Sequence, residues 1–271
     1  MLTEQQTTEF EASGLLKVES LVSKEAIRLA RTAILSRFEV FNCSRNGEWL
    51  LADRPRLSWP EKGYSAKQIG NQIEDVEQLL NEPGIRPIVD DLLGGVDLDW
   101  QMFKRPQILV TLPNKGDWFL PSDGWHVDIP RLANGCRAGV QVFIPLDEIK
   151  PQGGGTLAVS GSHRLLNDGD FIRSRDVIKR LKAHPFFHEL MRVRHRALDE
   201  VAKTESSMPL GEKIDLDVIE LTGGPGDVYF MDTRVIHSAA PNVREQPRMM
   251  ATHRFISRDT IKEILANQRP V

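Results

Sequence analysis

The sequence predicts a mainly β protein with helices (α+β), in which a β-rich body forms a barrel or sandwich supported by helices. Three observations lead to this class. Helical periodicity dominates residues 1–100, short β-rich segments dominate residues 101–260, and a basic helix-like segment interrupts them at 165–208. We therefore predict one domain over residues 1–271, with a helical support layer, a β core and a helical insertion.

The first hundred residues contain clear helix signals. Thr3 is placed to cap a short helix that runs through Phe10 and ends at Gly14. The segment LLKVESLV predicts a strand, and Ser23 begins a second helix whose apolar residues recur near a 3.6-residue period, at Ile27, Ala30, Ile34 and Phe38. Residues 44–64 predict a loop, while NQIEDVEQLLN and IRPIVDDLLG predict two further short helices.

The β core is predicted from six short segments bounded by turn residues: PQILVTLP, RAGVQVFIPL, TLAVSG, LDVIELTGG, GDVYFMD and PRMMATHRFIS. A last helix is expected in SRDTIKEILANQ. The insertion carries a basic stretch, Arg173–Arg196, with two open interpretations. It forms either a solvated helix face or a lid that offers an arginine to an anionic substrate.

Composition bounds the function. The chain has 271 residues, 40% hydrophobic and 27% charged, with a formal net charge of −3, so no basic excess indicates nucleic acid or an anionic membrane as a partner. Cys43 and Cys136 are its only cysteines, too few and too far apart for a disulfide scaffold or a thiolate zinc site. No secretion signal or membrane-length apolar run is evident, so we expect a cytoplasmic protein. Oligomeric state stays open.

Three residues have the chemistry of a metal site. His126 and Asp128, in DGWHVDIP, stand two apart, and in a strand this spacing places both side chains on one face. The third candidate is His237, at the end of another predicted strand. Two histidines and one carboxylate form the facial triad of non-haem Fe(II) oxygenases, which leaves three coordination positions open.

An arginine follows the last candidate ligand at a suggestive distance. Arg248 stands eleven residues after His237, where a new strand begins. If the two strands pair antiparallel across residues 241–247, Arg248 lies near His237, and its guanidinium suits a carboxylate that is not a metal ligand. Alternation places Arg254 on the same face as Arg248, where it either reaches the pocket or pairs with a surface carboxylate.

Three stretches in order over residues 107–256 resemble the phytanoyl-CoA dioxygenase-like family of Fe(II)/2-oxoglutarate-dependent oxygenases: WHVD, GGGTLAVSGSHR and GDVYFMDTRVIHSAAPNVREQPR. The resemblance implies a double-stranded β-helix core of jelly-roll or cupin-like type. It implies iron ligands at His126, Asp128 and His237, with Arg248 as the clamp for the 2-oxoglutarate C5-carboxylate. Thr156 and Gln107 are expected beside this cosubstrate.

The resemblance further implies Fe(II) as cofactor and 2-oxoglutarate and O₂ as cosubstrates. The expected reaction is hydroxylation of a small-molecule substrate, with decarboxylation of 2-oxoglutarate to succinate and CO₂. Halogenating relatives lack the carboxylate that Asp128 supplies here, which favours hydroxylation. Gly124 stands where relatives often carry a polar residue such as Gln.

Two alternatives to hydroxylation stay open. The first is desaturation, cyclisation or epoxidation at the same iron. The second, from a different class, is a non-catalytic barrel that binds a metal or a small ligand.

Other motifs have plainer interpretations. His163, in SGSHR, has no partner arrangement typical of a nucleophile and its base, so we expect a structural role. His184 and His188 have i, i+4 spacing but no His-Glu-x-x-His motif, which favours a structural or solvated pair. Residues 153–155, GGG, are not followed by a predicted helix, so they predict a turn rather than a phosphate loop.

Overall fold

The protein is represented by a computed structural model. It describes residues 2–39, 44–50, 73–98, 106–114, 116–129, 132–133, 136–166, 174–192, 204–207 and 213–267. Cys43 and most of the predicted loop at 44–64 lie outside these residues. Among the described helices, none is long and apolar enough to cross a membrane.

The N-terminal elements follow the predicted order, and their bounds are α1 Glu4–Ser13, β1 Leu15–Val18, α2 Lys24–Glu39, β2 Ser44–Arg45, β3 Glu48–Trp49, α3 Glu74–Leu80 and α4 Ile85–Leu93. Thr3 caps α1 through a reciprocal capping box with Gln6, and Gly14 ends the helix in the left-handed conformation, as predicted. Contrary to the loop prediction, residues 44–49 form a short hairpin. Asn46 and Gly47 both adopt positive φ at its turn.

The remaining elements are β4 Gln107–Thr111, β5 Leu132–Ala133, β6 Cys136–Arg137, β7 Gly139–Pro145, β8 Thr156–Ser160, α5 Ser174–Leu181, α6 Pro185–Arg192, β9 Thr204–Ser207, β10 Lys213–Glu220, β11 Val228–Asp232, β12 His237–Ala239, β13 Arg248–Ile256 and α7 Arg258–Asn267. They build two main antiparallel sheets. The major sheet has the order β1-β11-β7-β13-β4, and the minor sheet has the order β12-β8-β10-β9. This is the predicted double-stranded β-helix architecture.

Alternation along β7 shows how the layers are separated. Val140, Val142 and Ile144 join the hydrophobic core between the major sheet and the N-terminal helices. Gln141 and Phe143 point the opposite way, into the space between the two sheets. Because the outer side chains are apolar and buried, the helical layer fixes which face of the sheet is left for a site.

The two described helices of the insertion, α5 and α6, cover the outer face of the minor sheet. Apolar residues of α5 and α6, including Phe186 and Phe187, pack with Leu157 of β8 and Leu216 of β10 in one buried cluster. The prediction of an entirely helical insertion is wrong at its end, because β9 pairs with β10 as the edge strand. β-branched and polar residues in TESS suit an edge strand despite the helical sequence before it.

Candidate active site

The two candidate histidines are joined through their backbones. His126 N donates to His237 O and His237 N donates to His126 O, both at 2.9 Å, which makes an isolated antiparallel bridge between the segment after β4 and the start of β12. The ring centroids lie 4.2 Å apart. His126 thus lies outside a regular strand, because one bridge, followed by a bend, takes the place of a continuous ladder.

Asp128 completes the cluster. Its backbone N–H and that of Ile129 both donate to Thr233 O at 3.1 Å, which holds the bend against the chain between β11 and β12. One ligand atom from each of His126, Asp128 and His237 lies within 4.8 Å of the others. Within the described part of the chain, this is the one group of three such side chains that could hold a metal ion.

The orientation of both imidazoles suits metal binding through Nε2. His126 Nδ1 lies 2.9 Å from Gly124 O, and His237 Nδ1 lies 3.0 Å from Val235 O. A carbonyl can only accept, so each Nδ1 carries the proton and each Nε2 keeps its lone pair. Backbone carbonyls that fix the imidazole in this way are the usual outer partners of metal-bound histidine.

Electrostatics favours a charged Asp128 carboxylate beside a neutral His237 imidazole. Burial lowers the pKa of His237 to about 4, so this ligand is neutral at pH 7. Burial alone would raise the pKa of Asp128, but the charges of His237 and Arg254 outweigh it and the pKa falls below its ordinary value. With His237 neutral, Arg254 is the cation that faces the carboxylate at pH 7.

These residues fit a divalent iron. Asp128 Oδ2 is buried and contacts the cationic guanidinium of Arg254 without an aligned hydrogen bond, so the carboxylate keeps lone pairs that a metal could use. Two nitrogens and one carboxylate oxygen match the donor set of non-haem iron sites. His126 is exposed, so the cluster is open to solvent on that side.

Two of the candidate ligands, His126 and His237, border a cavity of about 360 Å³ between the two sheets. Its walls come from β4, β7, β8, β12 and β13, with His126 at one side. Gln107, Thr156 and Arg248 all line it, while their place beside a cosubstrate stays a prediction. Among the described residues of 44–64, 113–124 and 165–208, none lines this cavity.

Arg248 reaches this cavity by a different route from the predicted one. The antiparallel pairing of β12 and β13 that the sequence left as a condition does not occur, because β12 pairs with β8 and β13 pairs with β4 and β7. His237 and Arg248 therefore approach the cavity from opposite sheets. The connection at 241–247 crosses from the minor to the major sheet. His237 and Arg248, which are close in the chain, therefore lie on facing walls of the barrel.

A glycine turn holds the Arg248 guanidinium. Arg248 is 3% exposed, and its Nε donates to Gly154 O at 2.5 Å. Gly154 has a φ of +81°, and a Cβ there would lie 2.8 Å from Asn242 Cβ. Burial lowers the pKa of Arg248 to about 10, with Glu220 partly opposing this shift, so the side chain stays charged at pH 7. The GGG motif at 153–155 thus forms a turn, as predicted.

Glu220, which no motif in the sequence indicated, holds that turn by two hydrogen bonds. Its Oε2 accepts from Gln152 N at 2.6 Å and its Oε1 accepts from Gly155 N at 2.9 Å. Both carboxylate oxygens are thus used on the turn that carries the Gly154 carbonyl. No sequence signal separates Glu220 from other strand carboxylates, since its partners lie on a distant loop.

Two polar residues of the cavity wall were also missed. Gln141 Nε2 donates to Thr252 Oγ1 at 3.1 Å, and the threonine hydroxyl donates to Val142 O at 2.8 Å. These bonds orient the amide and leave Gln141 Oε1 buried without a hydrogen-bond partner among the described residues. A buried Gln on an otherwise apolar strand was the signal that could have found it.

Arg254 resolves an alternative that the sequence left open. It lines the same cavity as Arg248, and its Nε lies 2.5 Å from Asp128 Oδ2. Its partner is a candidate metal ligand and not a surface carboxylate.

The remaining histidine motifs take structural positions. His163 is buried and its Nε2 lies 3.2 Å from Glu11 O, which ties the 3₁₀ turn at Ser162–Leu166 to α1. His184 Nδ1 accepts from Phe186 N, and its ring packs on Phe187. Neither His184 nor His188 belongs to a described group of three possible metal ligands. The described part of the Arg173–Arg196 stretch lies on the outer face of the minor sheet.

Comparison with known proteins gives a family. The family model described as "Phytanoyl-CoA dioxygenase (PhyH)" matches residues 10–250. No curated protein matches the sequence.

Solved structures with similar folds share little sequence. EvdO2 from Micromonospora carbonacea var. aurantiaca is 20% identical, with a TM-score of 0.55 over 95% of this chain and 91% of that one. The "non-heme alpha ketoglutarate dependent carbocyclase SnoK from nogalamycin biosynthesis" is 18% identical, with a TM-score of 0.57 over 100% and 93%. EctD from S. alaskensis with 2-oxoglutarate and 5-hydroxyectoine is 17% identical, with a TM-score of 0.57 over 94% and 76%.

Proposed function

The chain belongs to the phytanoyl-CoA dioxygenase family, and we propose that it is an Fe(II)/2-oxoglutarate-dependent dioxygenase that hydroxylates an unactivated C–H bond of a small-molecule metabolite. The observation that carries this proposal is the grouping of His126, Asp128 and His237 beside a cavity that His126, His237 and Arg248 line. The expected products from the cosubstrate are succinate and CO₂.

Each residue has a defined task in this proposal. His126, Asp128 and His237 would hold the iron, which supplies oxidising chemistry when bound together with 2-oxoglutarate and O₂. Arg248 would bind the distal carboxylate of 2-oxoglutarate as a charged, buried fork. Thr156, 4% exposed, and Gln107 would add hydrogen bonds beside this carboxylate.

The protein environment supports tight placement of the cosubstrate. The Arg248 guanidinium is desolvated and already oriented by Gly154 O, so little rotamer entropy is lost when a carboxylate binds. The walls of strands around the cavity limit the access of water, which strengthens charge interactions inside. These residues bind and orient, while the metal centre performs the oxidation.

The test of the proposed function is anaerobic addition of Fe(II) and 2-oxoglutarate to the metal-free protein. We expect a weak visible charge-transfer band from the chelate, followed in air by succinate formation that a substrate stimulates. A panel of small metabolites screened for stimulated succinate would identify the substrate. Absence of the band, together with absence of succinate for every candidate, would reject the enzyme.

Product analysis separates hydroxylation from its alternatives. Similar structures are described as a carbocyclase and an epimerase, so the same centre can support other outcomes in this fold. A product 16 mass units heavier than the substrate indicates hydroxylation or epoxidation, and loss of two mass units indicates desaturation or ring closure. Metal and ligand binding without any turnover would favour a non-catalytic barrel.

A further inference from the structure

Arg254 contacts the one carboxylate of the candidate metal site. Its Nε lies 2.5 Å from Asp128 Oδ2, and the same oxygen lies 3.9 Å from His237 Nε2. The side chains of Arg254 and Asp128 are 20% and 10% exposed, so water screens this pair far less than it screens a surface pair.

The contact holds the carboxylate by charge without occupying it through an aligned hydrogen bond. Neither Arg254 Nε nor Asp128 Oδ2 has a directional hydrogen-bond partner among the described residues. A carboxylate offers about four lone-pair positions. The ion pair therefore leaves Asp128 able to bind a metal while it restricts rotation of the carboxylate.

Arg254 is itself placed by the centre of the major sheet. β13 lies between β7 and β4, and Arg254 stands opposite Gln141 in the β13–β7 register. Side chains opposite one another in antiparallel strands have Cβ atoms about 5 Å apart. Arg254 and Gln141 both line the cavity between the sheets, so the register of β13 on β7 keeps Arg254 in the wall beside Asp128.

We propose that Arg254 is a positioning residue that fixes the carboxylate of Asp128 toward His126 and His237 for metal binding. This inference rests on the proposed function, because it assumes that the three residues bind a metal. A rival role makes the opposite prediction. If Arg254 only neutralised the charge of Asp128, it would compete with the metal for that carboxylate. Its removal would then tighten metal binding.

The experiment compares Arg254→Gln with Arg258→Gln in the full chain. Arg258 is a matched control, because its Nε lies 3.1 Å from Asp97 in an exposed arginine–aspartate pair remote from the cavity. Anaerobic titration with Fe(II), and separately with Co(II), would be followed by calorimetry. We expect Arg254→Gln to weaken metal binding about 10–100-fold, the usual effect of losing an outer partner of a ligand, with no change in Arg258→Gln.

A spectroscopic readout separates positioning from a general loss of stability. The d–d spectrum of the Co(II)-saturated protein reports ligand geometry, and we expect it to change in Arg254→Gln but not in Arg258→Gln. If Arg254→Gln does not fold, Arg254→Lys provides the test. It keeps the charge but lacks the planar fork, so it should bind metal more weakly than the native protein.

The outcomes are distinguishable. Native protein that binds neither Fe(II) nor 2-oxoglutarate would reject the proposed function. Native protein that binds both, with folded Arg254 variants that bind metal equally or more tightly, would reject the positioning role alone.

Discussion

The two sides of the cavity, the metal side and the clamp side, are built by different means. On the metal side, His126 and Asp128 lie outside regular strands, and their placement depends on a backbone bridge to His237 and two N–H bonds to Thr233 O. On the clamp side, Arg248 begins β13, a nine-residue strand held by two neighbours. Irregular backbone places the ligands, whereas sheet register places the clamp.

The comparison teaches that each side can be perturbed alone. In the proposed function, metal affinity would depend on side-chain bonds to Gly124 O and Val235 O and on Arg254. Affinity for 2-oxoglutarate would depend on the turn around Gly154 and its attachment to Glu220. Substitutions should therefore separate metal binding from cosubstrate binding.

The largest effect is expected for His126→Ala on the metal side. Loss of one of three protein ligands should reduce Fe(II) affinity by more than the ~10–100-fold typical of outer partners. The visible band of the Fe(II)·2-oxoglutarate chelate should disappear. His188→Ala, an exposed histidine on α6, should retain the band, and a band of native intensity in His126→Ala would contradict the assignment.

Arg248→Gln should break the clamp side while the metal side remains intact. Removal of one partner from a buried charge pair typically costs about 2–5 kcal/mol, so 2-oxoglutarate affinity should fall at least ~30-fold with unchanged Fe(II) affinity. Equilibrium titration of the chelate band measures both. Arg244→Gln is the control, because Arg244 also donates from Nε to a carbonyl, that of Pro151, but is exposed. Normal 2-oxoglutarate binding by Arg248→Gln would remove the clamp assignment.

Two glycine substitutions should sharpen the contrast. Gly154 and Gly124 have φ values of +81° and +80°, so Ala costs about 1–3 kcal/mol of backbone strain at either position. Gly154→Ala should weaken 2-oxoglutarate about tenfold with little change for metal, because it displaces the carbonyl that holds Arg248. Gly124→Ala should do the reverse through the carbonyl bonded to His126. Identical effects of both variants on both ligands would show that the two sides are coupled.

The smallest effect is expected for Glu220→Gln. A glutamine offers one acceptor where Gln152 N–H and Gly155 N–H need two, so the turn should loosen. We expect a lower melting temperature and a few-fold weaker binding of 2-oxoglutarate, about 1 kcal/mol. Asp215→Asn, an exposed carboxylate on the same strand, should change neither quantity. If Glu220→Gln has a lower melting temperature but binds 2-oxoglutarate with native affinity, Glu220 contributes to stability and not to cosubstrate binding.

The sequence by itself determined the elements and the chemical types at the site. Capping by Thr3, the period of α2 and the alternation along β7 are local patterns. Each depends only on residues close together in the chain, so the sequence predicts them directly. The spacing of His126 and Asp128, and the position of Arg248 after His237, singled these residues out, and three of them, His126, His237 and Arg248, line one cavity. Their roles as ligands and clamp stay predictions until binding is measured.

Only the tertiary structure decided how those residues meet. His237 and Arg248 come from opposite sheets, and Arg254 and Glu220 find partners far away in the chain, Asp128 and residues 152–155. Such contacts depend on strand order and on which sheet each strand joins. That choice is made by burial of many apolar side chains together, so no local spacing reveals it.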